Sequence, residues 1–243
     1  MKNIVVLTLL CLTFVSARAQ DAVPMDILRR TILIRIGNES GTAFAIEHQG
    51  KIFLVTARHV VAGLSEPNTI QVEQAEKWHD YHIVKVLYPP SNDADIAVLE
   101  TNEQATAFEI PLMKDGEGGP TMGQQVWFLG YPFGIHSRIP GGKTHEVPFI
   151  KRGTMSAVDG SNPDAVLLYI DGFNNPGFSG GPIVYWDFSL RAYRIVGVVK
   201  GYREDTAKIL VNGQHVDTQL LVNSGILVGY SIQHVLQALE QKP

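Results

Sequence analysis

Three short segments of this 243-residue chain carry side chains that could act together as a nucleophile, a base and an orienting acid. The side chains are Ser179, His59 and Asp95, within the segments Gly177–Pro182, Thr56–His59 and Asp95–Leu99. A serine hydroxyl attacks a carbonyl well only when an imidazole accepts its proton and a carboxylate holds that imidazole in the required tautomer. The order His59, Asp95, Ser179 along the chain distinguishes one triad-bearing fold from the others. The segments therefore predict acyl transfer through Ser179.

Glycines surround the candidate nucleophile and predict a loop that stabilises negative charge. Gly177 and Gly180 flank Phe178-Ser179, and glycine tolerates the positive φ that a tight loop requires. We expect the N–H groups of Gly177 and Ser179 to form an oxyanion hole, in which each donor contributes about 3–4 kcal/mol of transition-state stabilisation. Pro176 restricts the residue before it and stiffens the approach to this loop.

Short apolar runs rich in β-branched and aromatic residues recur along the chain and predict strands. One set covers residues 31–36, 42–46, 52–56, 82–87 and 96–99, with a turn at 48–50. A second set covers residues 125–129, 153–158, 165–170, 183–185, 193–199 and 225–231. Residues 232–240 have helical spacing, residues 26–30 could begin a short helix, and residues 132–147 and 204–223 are interpreted as long loops. Many short strands and one terminal helix predict an all-β protein.

The N-terminus predicts export. Lys2, an apolar run and Ala17-Arg18-Ala19 indicate a signal peptide over residues 1–19, cleaved near Ala19/Gln20. Arg18 in the cleavage region leaves an uncleaved anchor open, but no later segment suggests a stable membrane anchor. The only cysteine, Cys11, lies in this segment, so the mature chain has no disulfide and suits a secreted or periplasmic bacterial protein. A net charge of −4 without a dense basic tract argues against nucleic acid as a partner.

Several side chains admit a second interpretation. Asp93 competes with Asp95 as the acid, although only Asp95 leads directly into an apolar strand. His79, Asp80 and His82 could suggest a metal site, but no helix brings further ligands close, and we expect no metal. We expect Trp78 and Trp127 to serve in packing.

The three segments resemble those of the trypsin-like, chymotrypsin-fold serine proteases, and they are most similar to the bacterial HtrA/DegP-type branch. Further matches are Phe128–Gly134, Ile195–Val199 and Gly225–Ser231. The resemblance implies two perpendicular antiparallel β-barrels with the active site between them. It assigns residues 20–243 to one protease domain, with barrels over about 31–113 and 121–231 and a terminal helix over about 232–240. No PDZ-like domain is expected after the protease domain.

The resemblance also implies which residues contact a polypeptide substrate. The primary pocket would be lined by Phe173, Asn174, Val199, Lys200, Gly201 and Gly225. No acidic residue occupies the pocket floor, which disfavours Lys or Arg before the scissile bond and favours a small or aliphatic residue. Lys200 leaves a preference for acidic residues open. No cofactor is expected, and the sequence does not predict an oligomeric state.

Two other functions remain as alternatives. Gly177–Gly181 also satisfies the G-x-S-x-G pattern of α/β-hydrolase esterases, which requires a strand before the serine and a helix after it. Here an apolar strand is predicted after the serine instead. The other alternative is a catalytically silent, protease-like binding protein.

Overall fold

The structure, a computed structural model, describes residues 22–64, 69–103, 118–137 and 146–241. The predicted signal peptide and its cleavage site lie outside these residues. Neither helix in the described part of the chain has the length and apolar character needed to cross a bilayer.

Six antiparallel strands close into an N-terminal barrel in the order β1-β2-β3-β6-β5-β4. Main-chain pairing of Ile34 with Val72 joins β1 to β4 and closes this barrel. Strands β2, β3 and β6 are buried over most of their length, whereas β4 alternates buried and partly exposed side chains, as expected for a strand with one face on a core. The strands are β1 (Thr31–Ile36), β2 (Glu39–His48), β3 (Lys51–Ala57), β4 (Thr69–Gln74), β5 (Lys77–Leu87) and β6 (Ile96–Thr101).

A second barrel follows in the order β10-β11-β12-β9-β8-β7, closed by the pairing of Val184 with Trp127. Its strands are β7 (Gln125–Gly130), β8 (Phe149–Asp159), β9 (Leu167–Asp171), β10 (Pro182–Asp187), β11 (Ala192–Val211) and β12 (Gln214–Ser231). Helices α1 (Met25–Leu28) and α2 (Gln233–Glu240) and the 3₁₀ turns Arg58–Val61 and Pro132–Gly134 complete the described elements. The predicted all-β class with two antiparallel barrels and a terminal helix is confirmed. The predicted domain boundaries stay a prediction, because the connecting residues 104–117 are not described.

A shared apolar core holds the two barrels together. Phe44 and Val98 of the first barrel, Trp127 and Val184 of the second, and Val235 of α2 belong to one buried cluster. Burying a side chain of this size contributes about 1.5–3 kcal/mol, so the cluster strongly opposes separation of the barrels. The two barrels therefore pack as one unit.

Both tryptophans have packing roles. Trp127 is buried and packs edge-on against Tyr193, with ring centroids 5.4 Å apart. Trp78 is half-buried, and the guanidinium of Arg35 lies 4.1 Å from its ring centroid.

The interpretation of residues 204–223 as a loop is wrong. Strands β11 and β12 pair from Glu204 with Asn223 out to Val211 with Gln214. The turn residues Asn212 and Gly213 have φ of 51° and 80°, which a two-residue type I′ hairpin requires. The Asn212-Gly213 pair is a hairpin signal in the sequence, but the flanking residues are mostly polar and lack the apolar runs that predict strands.

The other predicted long loop contains short ordered pieces. A 3₁₀ turn at Pro132–Gly134 is followed by a bridge between Ser137 and Val147, and residues 138–145 lie outside the described part. Strand β4 was not predicted, because the turn that joins it to β5 lies at Ala75 and Glu76, where no glycine or proline marks it.

Candidate active site

The barrel register brings His59 and Asp95 together. Ala57 at the end of β3 pairs with Ile96 at the start of β6, so the residues just beyond these strand ends are neighbours. The ring Nδ1 of His59 lies 2.6 Å from one carboxylate oxygen of Asp95. The main-chain N–H of His59 donates to the other carboxylate oxygen at 2.9 Å. Both oxygens of Asp95 are therefore engaged with the same histidine, which fixes the orientation of the imidazole.

Asp93 faces a different part of the molecule. Its carboxylate accepts a hydrogen bond from the side-chain amide of Asn162 at 3.0 Å, and its carbonyl accepts one from the hydroxyl of Tyr230 at 3.0 Å. These contacts join the first barrel to the second. The geometry therefore pairs His59 with Asp95, and Asp93 serves the interface between the barrels.

Strand β2 connects the serine segment to the histidine segment. The N–H of Thr42 donates to the carbonyl of Ser179 at 3.0 Å. At Gly41, an added Cβ would lie 2.7 Å from a methyl of Val60 and 3.4 Å from the carbonyl of Ser179. The residue after His59 and the backbone of Ser179 therefore pack against the same point of β2.

The hydroxyl of Ser179 donates to the carbonyl of Lys200 at 3.2 Å, so its hydrogen bond in this structure goes to Lys200 and not to His59. A rotation about the Cα–Cβ bond moves a serine hydroxyl between staggered positions. The structure thus brings two of the three predicted catalytic groups into contact and places the third on the neighbouring loop with its hydroxyl turned to β11.

The loop before Ser179 presents two free main-chain donors. Residues Asn175–Phe178 form a turn in which Phe178 N–H donates to the Asn175 carbonyl at 3.3 Å. The carbonyls of Pro176 and Gly177 accept hydrogen bonds from Phe133 N–H at 2.9 Å and from the Thr42 hydroxyl at 2.7 Å. Within the described residues, the N–H groups of Gly177 and Ser179 have no acceptor. Such donors are what an oxyanion hole requires.

Two glycines are required by the tightness of this loop. Gly177 has φ of 100°, and an added Cβ would lie 2.2 Å from the carbonyl oxygen of Tyr131. Gly180 has φ of 85°, and its Cβ would lie 2.1 Å from the carbonyl oxygen of Thr42. Both the backbone conformation and the close approach of neighbouring carbonyls exclude a side chain at these positions.

Lys151 of β8 contacts the same loop, and no motif in the sequence marks it. Its ammonium donates to the Phe173 carbonyl at 2.8 Å and to the side chain of Asn175. It also lies 5.3 Å from the ring centroid of Phe178. Burial lowers the pKa of Lys151. The contacts anchor the two residues on either side of Asn174, just before the turn that carries Gly177.

Only part of the predicted substrate pocket lies beside the paired histidine. Lys200 and Gly201 line a cavity of about 380 Å³ that also contacts His59 and Asp95. Five further lining residues were not named by the prediction, although two of them directly follow Gly201 on the same strand. These are Leu167, Tyr169, Tyr202, Arg203 and Val228.

The remaining predicted pocket residues lie elsewhere. Val199 is fully buried in the core of the second barrel, and Asn174 is also buried. Phe173 is 57% exposed, and the carbonyl of Gly225 accepts a hydrogen bond from Gly172 N–H at 2.9 Å. None of these four residues lines the cavity beside His59.

In the described part of the chain, no group of three or more His, Cys, Asp or Glu side chains is placed to hold a metal ion. His79 and His82 lie on β5, where successive side chains point to opposite faces, so three residues of separation puts them on different faces. The Asp80 carboxylate accepts a hydrogen bond from Gln71 at 3.0 Å.

A family model described as the trypsin-like peptidase domain matches residues 41–190. This range is more than half of the chain and contains His59, Asp95 and Ser179, so the chain belongs to the trypsin-like peptidase family. By class it is a serine endopeptidase, and the resemblance found in the sequence is confirmed.

Solved structures of bacterial proteases have the same fold. The inactive form of the protease Rv3671c from M. tuberculosis H37Rv is similar at a TM-score of 0.55 and 19% identity, over 88% of this chain and 89% of that chain. The HtrA-type protease AlgW with tripeptide is similar at a TM-score of 0.56 and 18% identity, over 89% of this chain and 62% of that chain. This chain thus spans less than two thirds of AlgW. No curated protein sequence matches this chain.

Proposed function

We propose that the protein hydrolyses peptide bonds through an acyl-enzyme on Ser179. His59 accepts the proton of the Ser179 hydroxyl as the oxygen attacks the scissile carbonyl, and it then donates that proton to the leaving amine. A water molecule, activated by the same imidazole, attacks the ester and releases Ser179. The 2.6 Å contact between His59 and Asp95 carries this proposal, because it orients the imidazole and stabilises its charged form.

The free N–H groups of Gly177 and Ser179 support a second part of the mechanism. Negative charge develops on the carbonyl oxygen of the substrate during both attacks, and two main-chain donors beside the nucleophile that have no other acceptor would stabilise it. Removing one such donor costs about 3–4 kcal/mol in known hydrolases. The Thr42 hydroxyl and Phe133 N–H contribute by hydrogen bonding the carbonyls of Gly177 and Pro176, which fixes the backbone of this loop.

For specificity, we propose a small or aliphatic residue before the scissile bond. Apart from Asp95, which contacts His59, no carboxylate lines the cavity beside His59, so a basic side chain would have no free partner there. Lys200 and Arg203 in the same cavity favour the competing preference for an acidic residue. Cleavage of a peptide library decides between the two.

We propose that the protein acts outside the cytoplasm, in the periplasm or as a secreted enzyme, after cleavage near Ala19/Gln20. The positive start, apolar run and small-x-small motif of residues 1–19 support this location. Mass spectrometry of protein from the export host should find Gln20 as the first residue, and an intact N-terminus would overturn the proposal.

The proposed mechanism predicts that Ser179→Ala abolishes hydrolysis of casein-like unfolded polypeptide. The substitution removes the attacking oxygen and leaves the backbone contacts of residue 179 in place. Turnover should fall by several orders of magnitude while the circular dichroism spectrum and thermal transition match those of the wild type. Hydrolysis by Ser179→Ala at the wild-type rate would refute the mechanism.

The hydrogen bond from Ser179 to Lys200 favours a second candidate function, a silent protease-like binding protein. In that case the folded wild type would bind polypeptides with no hydrolysis at any pH. An esterase of the α/β-hydrolase class does not fit, because β10, and not a helix, follows Ser179, and the described strands are antiparallel.

A further inference from the structure

Lys151 occupies a position of β8 that faces the interior of the second barrel. Along this strand Gly153 and Met155 are buried and Lys151 is half-buried, whereas Arg152 and Thr154, which alternate with them, are exposed. Interior positions of a small barrel are normally filled by packed side chains. Burial lowers the pKa of Lys151, because it disfavours the charged ammonium. A lysine at this position therefore needs hydrogen-bond acceptors for its ammonium.

The acceptors of Lys151 belong to the serine loop, by which we mean residues 173–180. The ammonium donates to the main-chain carbonyl of Phe173 at 2.8 Å and to the side-chain oxygen of Asn175. It also lies 5.3 Å from the ring centroid of Phe178, within the range of a cation–π contact. None of the ion pairs among the described residues includes Lys151. The positive charge is therefore held by the serine loop and not by a carboxylate.

Five consecutive main-chain carbonyls of the serine loop each accept a hydrogen bond, which fixes the path of the backbone through residues 173–177. That path determines where the free N–H groups of Gly177 and Ser179 point. Lys151 provides the only charged donor of the five, and its ammonium alone also holds a side chain of the loop. A hydrogen bond from a charged donor is roughly twice as strong as one between neutral groups. The donors, from residue 173 to residue 177, are the Lys151 ammonium, the Asn223 side-chain amide, the Phe178 N–H, the Phe133 N–H and the Thr42 hydroxyl.

We propose that Lys151 is a positioning residue of the reaction, which keeps the serine loop in the conformation that presents its two free N–H groups to the substrate. The proposal rests on the proposed function of Ser179. An oxyanion hole is effective because its donors are in place before charge develops. Without the ammonium, the carbonyl of Phe173 and the side chain of Asn175 would lose their common donor, and the loop would have to reorganise during the reaction. This cost falls on the transition state, so it lowers kcat more than it raises KM.

Lys151→Met removes the ammonium and keeps an unbranched apolar side chain. With a fluorogenic peptide, kcat should fall about ten- to hundredfold while KM stays within about twofold, because outright deletion of an oxyanion donor costs about 10²–10³ in kcat. The matched control is Arg152→Met, because Arg152 is exposed on the opposite face of the same strand. That variant should keep both kcat and KM. Only variants whose circular dichroism spectrum matches that of the wild type are compared.

A boronic acid peptide separates effects on the transition state from effects on binding. Its boron forms a reversible bond to the Ser179 oxygen and becomes tetrahedral, so that one boron-bound oxygen takes the place of the oxyanion. In Lys151→Met, the inhibition constant should rise by about the same factor as kcat/KM falls. The dissociation constant of an ordinary peptide, measured with Ser179→Ala protein, should change less than about twofold when Lys151→Met is added. Equal weakening of both ligands would show that Lys151 serves peptide binding, and the inference would be wrong.

A second variant tests the contact itself and does not require Lys151→Met to fold. Asn175→Ala removes one acceptor of the ammonium, and kcat should fall about three- to tenfold with KM nearly constant. An unchanged kcat in this variant would overturn the inference. In the double variant the loss should match that of Lys151→Met alone, because both changes break the same contact. Losses that multiply would show that Lys151 does not act through the serine loop and would refute its positioning role.

The wild-type protein tests the proposed function by itself. Wild-type protein that neither hydrolyses the peptide nor binds the boronic acid would refute the function of Ser179 on which the inference rests. Hydrolysis by the wild type, with the same kcat in Lys151→Met, would uphold that function and refute the role of Lys151.

Discussion

The Asp95 carboxylate determines what His59 can do, because its two oxygens contact the histidine in two different ways. One oxygen holds the ring nitrogen at 2.6 Å and the other accepts the main-chain N–H at 2.9 Å. An isosteric amide would keep the shape but lose the charge that stabilises the imidazolium and the acceptor pair that selects the tautomer. Asp93, two residues earlier, makes neither contact and offers a matched control.

Asp95→Asn should lower kcat by about 10³–10⁴-fold, the scale seen for the acid of known serine triads, with little change in KM. Asp93→Asn should keep kcat close to the wild-type value, because its carboxylate contacts Asn162 of the second barrel. Steady-state kinetics on one fluorogenic peptide compares the two variants. A larger loss for Asp93→Asn than for Asp95→Asn would reverse the assignment of the acid.

Short motifs in the sequence were sufficient to predict His59 and Asp95 as catalytic residues. Their contact follows from the barrel register, because Ala57 at the end of β3 pairs with Ile96 at the start of β6. The direction of the Ser179 hydroxyl could not be predicted, because it depends on one side-chain rotation. Lys151 could not be predicted either, because 22 residues separate it from Phe173 and only the closed barrel brings them together.

At the level of elements, the serine loop depends on neighbouring strands of both barrels. Gly180 N–H donates to the Val199 carbonyl at 2.8 Å, and the carbonyl of Thr42 lies where a side chain at position 180 would begin. The loop is therefore held between β2 and β11 with no space to adjust. The sequence indicated a tight glycine loop, but the close contact with Thr42 follows only from the docking of the barrels.

Gly180→Ala should destabilise the protein by roughly 3 kcal/mol or more, because it combines a positive φ with a severe overlap. The matched control is Gly160→Ala, since Gly160 is exposed and has nothing within 4 Å of the added Cβ. That change should stay within about 0.5 kcal/mol. Urea unfolding of both variants gives the comparison. Equal unfolding midpoints would mean that the serine loop is not packed as described.

The elements also show where strand prediction fails. Short apolar runs identified most barrel strands because these strands contribute side chains to the buried cores. That signal is absent from the outer parts of β11 and β12, where residues 211–220 are all exposed. These outer parts are defined by main-chain pairing and by the Asn212-Gly213 turn, so hydrophobic pattern could not reveal them.

At the level of the whole molecule, a buried ion pair lies apart from the candidate active site. Asp187 and Arg194 form a buried ion pair, with 3.3 Å between a guanidinium nitrogen and a carboxylate oxygen. They line a cavity of about 480 Å³ that shares no residue with the one beside His59. Hydrogen bonds from Ser189, together with those from Leu190 and Arg194, lower the pKa of Asp187 to about 2. This carboxylate therefore stabilises the fold and takes no part in the proposed reaction.

Asp187→Asn should lower the free energy of unfolding at pH 7 by about 1–3 kcal/mol, because several donors lose a charged acceptor. The pKa of Asp187 is lower in the folded state, so its stabilisation is complete above the usual carboxyl pKa near 4 and is lost as the pH falls toward 2. The difference between wild type and variant, measured by urea unfolding, should shrink over that interval. A difference that stays constant from pH 7 to pH 3 would show that the charge of Asp187 is not involved.

We expect His59 to activate Ser179, although the Ser179 hydroxyl in this structure donates to Lys200. Labelling with a fluorophosphonate, followed by peptide mapping, measures this activation at the residue itself. The folded wild type should form one covalent adduct, located on Ser179, and His59→Ala should form none at the same concentration and pH. Equal labelling of His59→Ala, or natively folded wild type that stays unlabelled from pH 6 to 9, would show that His59 does not activate Ser179.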